Sequence, residues 1–125
     1  MWMIRAVVFD WDGTLCDTMK YHFISYRNAL RGIADIKPED IYKREGGRSI
    51  DIISDIAKDI DRNKRDSIIK KKEEEYAALA PNVRMFPGGI KLIDNLRGRG
   101  IKVGLVTGTR RENIHLGLRR DDISI

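Results

Sequence analysis

Two short runs rich in branched side chains leave a chain of this length few folds to choose from. Ile4-Arg5-Ala6-Val7-Val8-Phe9-Asp10 lies near the start and Ile101-Lys102-Val103-Gly104-Leu105-Val106 near the end. Each is too short for a helix and is followed at once by turn residues, Asp12-Gly13 after the first and Thr107-Gly108 after the second. Each therefore reads as a buried strand.

Between them the hydrophobic period is helical. Met19, Phe23, Tyr26, Leu30 and Ile33 recur at alternating four- and three-residue steps, one face of a helix. Pro38 opens a short helix, with Glu39 and Asp40 in its first turn where the helix dipole favours acid, and Gly46-Gly47 stops it. Ser49 is the expected N-cap of the next helix, and Asp61 or Asn63 opens a longer one through Ile68, Lys72, Tyr76 and Leu79. The run Lys70-Lys71-Lys72-Glu73-Glu74-Glu75 reads as a wet face paired at i,i+3 and i,i+4. A further amphipathic helix follows Pro87-Gly88-Gly89 and leads into the second strand, and a last helix covers about 111–118. A helix packed directly before the second strand, with the right-handed crossover rule, makes the two strands parallel and adjacent. The fold class is α/β, and ligands of such sheets bind at the carboxyl ends of the strands.

Composition removes other classes. Charged residues make up 34% and hydrophobic residues 42% of the 125, which excludes a disordered or collagen-like chain. No apolar run reaches the roughly 18 residues of a membrane span. The opening residues lack a signal-peptide layout, and a single cysteine, Cys16, excludes a disulfide framework. The expectation is a cytoplasmic protein with no membrane partner. The net charge of +5 lies wholly in residues 84–125, with nine basic and four acidic side chains there. Phe86 is the only aromatic in that stretch, so no stacking platform for nucleic acid is expected. A small anionic substrate would gain from the same field.

The chemistry is concentrated in Asp10-Trp11-Asp12-Gly13-Thr14-Leu15. Two carboxylates two residues apart, just past a strand end, can converge on one point. One can attack as a nucleophile while the other gives and takes a proton. Their oxygens also suit a hard cation such as Mg2+. Gly13 permits a positive-φ turn, and the turn amides, with Thr14, are candidates to receive phosphate oxygens.

This stretch resembles the first motif, D-x-D-G-T-L, of the haloacid dehalogenase-like hydrolases. The resemblance implies that Asp10 is a nucleophile forming an aspartyl-phosphate, that Asp12 is the general acid/base, and that Mg2+ binds at Asp10 and Asp12. Val103-Gly104-Leu105-Val106-Thr107-Gly108 resembles the second motif, which makes Thr107 and Gly108 phosphate contacts. It further implies a Rossmann-like parallel-sheet core, incomplete at about two strands, in residues 1–16 and 82–125, with a helical cap inserted at 17–81.

The finer likeness is to the helical-cap subfamily that holds phosphoglycolate phosphatases and β-phosphoglucomutases. Asp17-Thr18 and Tyr21-His22-Phe23 resemble its approach to the cap, and Gly47-Arg48-Ser49 its specificity loop. Lys72 with Tyr76 resembles a cap-helix lysine that can face the site, and His22, Arg48 and Lys72 are thereby substrate candidates. Ile50 stands where the mutases favour Arg, which points to a phosphatase rather than a mutase acting on a small phosphorylated metabolite. The family's later Lys and second acidic motif find no match after Thr107, and Asp121-Asp122 follows a helix rather than a strand. The alternative is therefore an incomplete chain that relies on a second half or pairs with a second copy through its open sheet edge.

Overall fold

A computed structural model describes residues 2–118. Strand β1 (Ala6–Asp10) is followed by helices α1 (Met19–Ala29), α2 (Pro38–Tyr42), α3 (Ser49–Ile56) and α4 (Arg62–Leu79), a 3-10 turn at Ala80–Asn82, α5 (Gly89–Gly98), β2 (Lys102–Val106) and α6 (Arg111–Leu118). The chain forms two compact units, Met19–Ala80 and the combination of Met1–Thr18 with Pro81–Ile125. No helix among the described residues is long and apolar enough to cross a membrane.

The helical unit closes on itself. Tyr26, Ala29 and Leu30 from the α1 stretch meet Ile41 of α2, Ile52 and Ile53 of α3, and Ile68 of α4 in one buried cluster. The expected periodicity accounts for this, since residues three and four apart share a face. Asp61 caps α4 by accepting the Lys64 N–H at 2.7 Å, as the sequence suggested. The cap of α3 falls one residue earlier than expected, at Arg48, and the Ser49 hydroxyl is used elsewhere.

The charge run on α4 is not one wet face. Lys70 pairs with Glu74 at 4.0 Å on an exposed surface, but Lys72 is buried and its ammonium sits 3.4 Å from Glu73. At 100° per residue, six consecutive charges cannot share a face, so some of them turn inward.

In the other unit β1 and β2 pair in parallel, in the register Ala6↔Lys102 through Asp10↔Val106. The expectation of buried strands fails. Along both strands, exposed residues alternate with half-buried ones. Val7, Phe9, Val103 and Leu105 form the half-buried set, while Val8 and Val106 stand 61% and 68% exposed. A parallel sheet normally carries helices on both faces. Here α5 packs against β2, and the face that bears Phe9, Val103 and Leu105 borders a cavity of about 330 Å3 lined also by Trp11, Ile93 and Leu118. Among the described residues no helix packs on the opposite face, where Val8 and Val106 stand exposed.

Candidate active site

The two strands bring their carboxyl ends to one place. Asp10 is register-paired with Val106, so Thr107 begins the loop at the same end of the sheet. After Asp10 the chain turns sharply. The N–H groups of Leu15 and Cys16 both donate to the Trp11 carbonyl at 3.1 Å, and that of Gly13 donates to the Cys16 carbonyl at 2.9 Å. Gly13 sits at φ 71°, a conformation that costs other residues about 1–2 kcal/mol. Trp11 and Leu15 are buried beneath the turn. The turn is tied to the second segment of its unit by Phe86 N–H donating to Leu15 carbonyl at 2.8 Å and Asp17 N–H to Arg84 carbonyl at 3.0 Å.

This packing sets the two carboxylates differently. Asp10 is exposed at the strand tip, with one oxygen accepting the Trp11 N–H at 2.8 Å. Asp12 is half-buried and ringed by hydroxyls. Its Oδ1 accepts from Thr18 at 2.7 Å, and its Oδ2 accepts from Thr109 at 2.6 Å and from Thr107 at 3.4 Å. Thr107 Oγ1 in turn accepts the Thr109 N–H at 3.0 Å. Thr18 is fully buried.

Asp12 and Thr107, 95 residues apart, are therefore in contact. Gly13 and Thr14 lie in the same turn, both exposed, with their amides directed to the Cys16 and Trp11 carbonyls. Gly108 lies exposed between the two loop threonines. Roles for Thr18 and Thr109 were not legible in the sequence. Each stands near a recognisable motif, but nothing in the spacing says that its hydroxyl reaches Asp12.

His22, Arg48 and Lys72 belong to the helical unit. His22 stacks on Tyr76 with ring centroids 4.2 Å apart and an 11° angle between planes. The Lys72 ammonium lies over the Tyr26 and Tyr76 rings, at 4.9 and 5.3 Å from their centroids. Tyr26 donates to the Ser49 hydroxyl at 3.1 Å, and Ser49 contacts the same Glu73 carboxylate that pairs with Lys72. Burial pushes the Tyr26 phenol above its ordinary range, against a smaller opposing effect of the Ser49 hydrogen bond. His22 and Lys72 thus share one aromatic cluster through Tyr76. Arg48 stands outside it, exposed, its guanidinium forked onto Asp51 at 2.8 and 3.2 Å.

Among the described residues no three His, Cys, Asp or Glu side chains gather in a metal-binding group. Asp10 and Asp12 supply only oxygen donors. A pair of carboxylates fits Mg2+, which keeps several waters and rarely uses a full protein cage.

Comparison with known proteins bears on the family and the fold. The sequence profile of the haloacid dehalogenase-like hydrolases matches residues 7–124. Pyrophosphatase PpaX of Oceanobacillus iheyensis is 30% identical over 97% of this chain and 56% of its own length. The β-phosphoglucomutase of Bacillus subtilis is 26% identical over 86% and 52%. Among solved structures, β-phosphoglucomutase of Clostridium difficile is 25% identical and superposes with a TM-score of 0.83, over 98% of this chain and 58% of that one. The chain thus spans about half the length of the curated relatives it matches. With the profile running from β1 through α6 and the strand tips juxtaposed as the motifs require, the chain belongs to the haloacid dehalogenase-like hydrolase family.

Proposed function

We propose that this chain carries the nucleophile and the acid/base of a phosphatase acting on a small phosphomonoester. The observation that carries the reading is the meeting of Asp12 with Thr107 beside the exposed carboxylate of Asp10 at one end of the sheet. In this reading an Asp10 oxygen attacks phosphorus in line, and the bond from phosphorus to the ester oxygen breaks. Asp12 donates its proton to that departing oxygen. A water oxygen then attacks the phosphorus of the aspartyl-phosphate as Asp12 takes up its proton, which frees phosphate and restores Asp10. The hydroxyl of Thr107 and the exposed loop at Gly108 orient the phosphoryl oxygens. A Mg2+ held by Asp10 and the Asp12 segment would neutralise phosphoryl charge. His22, Arg48 and Lys72, all in the helical unit, are the candidates for selecting the substrate.

The relatives named as pyrophosphatase and mutase share the phosphoryl-transfer chemistry but differ in substrate. Ile50 keeps phosphatase ahead of mutase here. The test is hydrolysis of p-nitrophenyl phosphate with Mg2+. Turnover is expected to vanish in Asp10→Asn and on chelation, and wild-type rates surviving in Asp10→Asn would reject Asp10 as the nucleophile.

One observation favours a second reading. The bare sheet face bearing Val8 and Val106 suits completion of the core by further polypeptide, which would also supply a charge-neutralising lysine and a second acid. A chain that binds phosphate analogues without turning over substrate would fit that reading.

A further inference from the structure

We infer that Thr109 is a positioning residue for Asp12, holding the acid/base carboxylate in its working rotamer. The inference deepens the proposed function and rests on Asp12 having that role. Three threonine hydroxyls reach this one carboxylate, but not equally. At 3.4 Å the Thr107 contact is long for a hydroxyl donor, whose usual distance is roughly 2.7–2.8 Å. The Thr109 contact, at 2.6 Å, is much the shorter of the two.

The loop explains why Thr109 arrives there. Its own N–H donates to Thr107 Oγ1 at 3.0 Å, which folds the chain back after β2 and returns the Thr109 side chain towards β1. The arrangement divides the work between the two residues. The Thr107 oxygen is engaged as an acceptor within the loop while its proton is only weakly committed to Asp12. Thr109 bears the stronger hold.

The other oxygen of Asp12 is taken by Thr18 from the opposite side in sequence. Donors on both oxygens fix both side-chain torsions of Asp12. A group that must deliver a proton in line gains from being fixed before substrate arrives. Thr109 touches neither phosphorus nor leaving oxygen in this scheme, so its effect passes through Asp12.

The test compares Thr109→Val, which keeps the side-chain shape and removes the hydroxyl donor, with Thr109→Ser, which restores it. On p-nitrophenyl phosphate with Mg2+, Thr109→Val is expected to lower kcat by about 10- to 100-fold, as small misplacements of reacting groups do. KM should stay near wild type, and Thr109→Ser should recover most of the loss. A second readout does not depend on turnover. Three-bond couplings from the Asp12 Cγ to its backbone nitrogen and carbonyl report its χ1 in the labelled chain. Wild type and Thr109→Ser should show a single rotamer, and Thr109→Val an average. If the chain does not hydrolyse the ester, the functional reading fails and the couplings still decide the positioning. A single unchanged rotamer in Thr109→Val, or a serine variant no better than valine in either measurement, would overturn the inference.

Discussion

The helical unit and the α/β unit solve the burial problem to different degrees. In the first, Leu30 and Ile53 are completely buried, and only Tyr42 and Ile50 among its large apolar side chains stand exposed. In the second, Trp2, Met3, Ile4, Val8, Phe86, Leu92 and Val106 are all exposed among the described residues. The reason is geometric. Each helix of a bundle has one apolar stripe, and four helices can turn their stripes towards a common centre. A two-stranded parallel sheet has two faces and two open edges, and among the described residues helices cover only one of those faces. The site sits at the end of the less complete unit. What holds it is a tight turn on buried Trp11 and Leu15, and three hydroxyls gathered on Asp12.

That contrast can be broken by mutation. The largest effect belongs to the helical unit: Leu30→Ala should cost about 3–4 kcal/mol, measured by urea unfolding, because the removed atoms leave a cavity in a closed cluster. Next comes the hydrogen bond from Tyr26 to Ser49. Tyr26→Phe should cost about 1 kcal/mol in the same experiment. It also sharpens the comparison through pH. Burial raises the Tyr26 phenol above its ordinary value of 10.0, so the folded state holds that proton more tightly than the unfolded chain. Its contribution is complete below pH 10 and is lost as pH rises through the raised value. Wild type should lose stability at alkaline pH more steeply than Tyr26→Phe, as stability curves above pH 10 would show.

The smallest effect is expected on the bare face. Val8→Thr should change stability by less than about 0.5 kcal/mol, as exposed substitutions do. If the open face and edge draw copies of the chain together, light scattering should find less self-association in this variant. A loss as large as that of Leu30→Ala would mean that the face is covered in solution and that the contrast between the units is false.

Much of the fold was legible because its signals are local. Short β-branched runs followed by turn residues marked both strands, period-3.6 runs marked the helices, Asp61 announced the start of α4, and Gly88, at φ 85°, the start of α5. The first motif pointed to Asp10 and Asp12 without any structure. Local pattern misled where solvent exposure depends on distant neighbours. The apolar strands looked buried, and Lys72 looked like one solvated charge among six. Asp121 and Asp122 lie outside the described residues.

Read alone, the sequence determines the order of elements, the parallel pairing and the family, since these follow from periodicity, connection handedness and one contiguous motif. Tertiary structure alone decides which hydroxyls hold Asp12, that Lys72 lies over two tyrosine rings, and which strand face is left bare. Those outcomes depend on residues up to 97 positions apart arriving within hydrogen-bond distance, and no local pattern encodes that arrival.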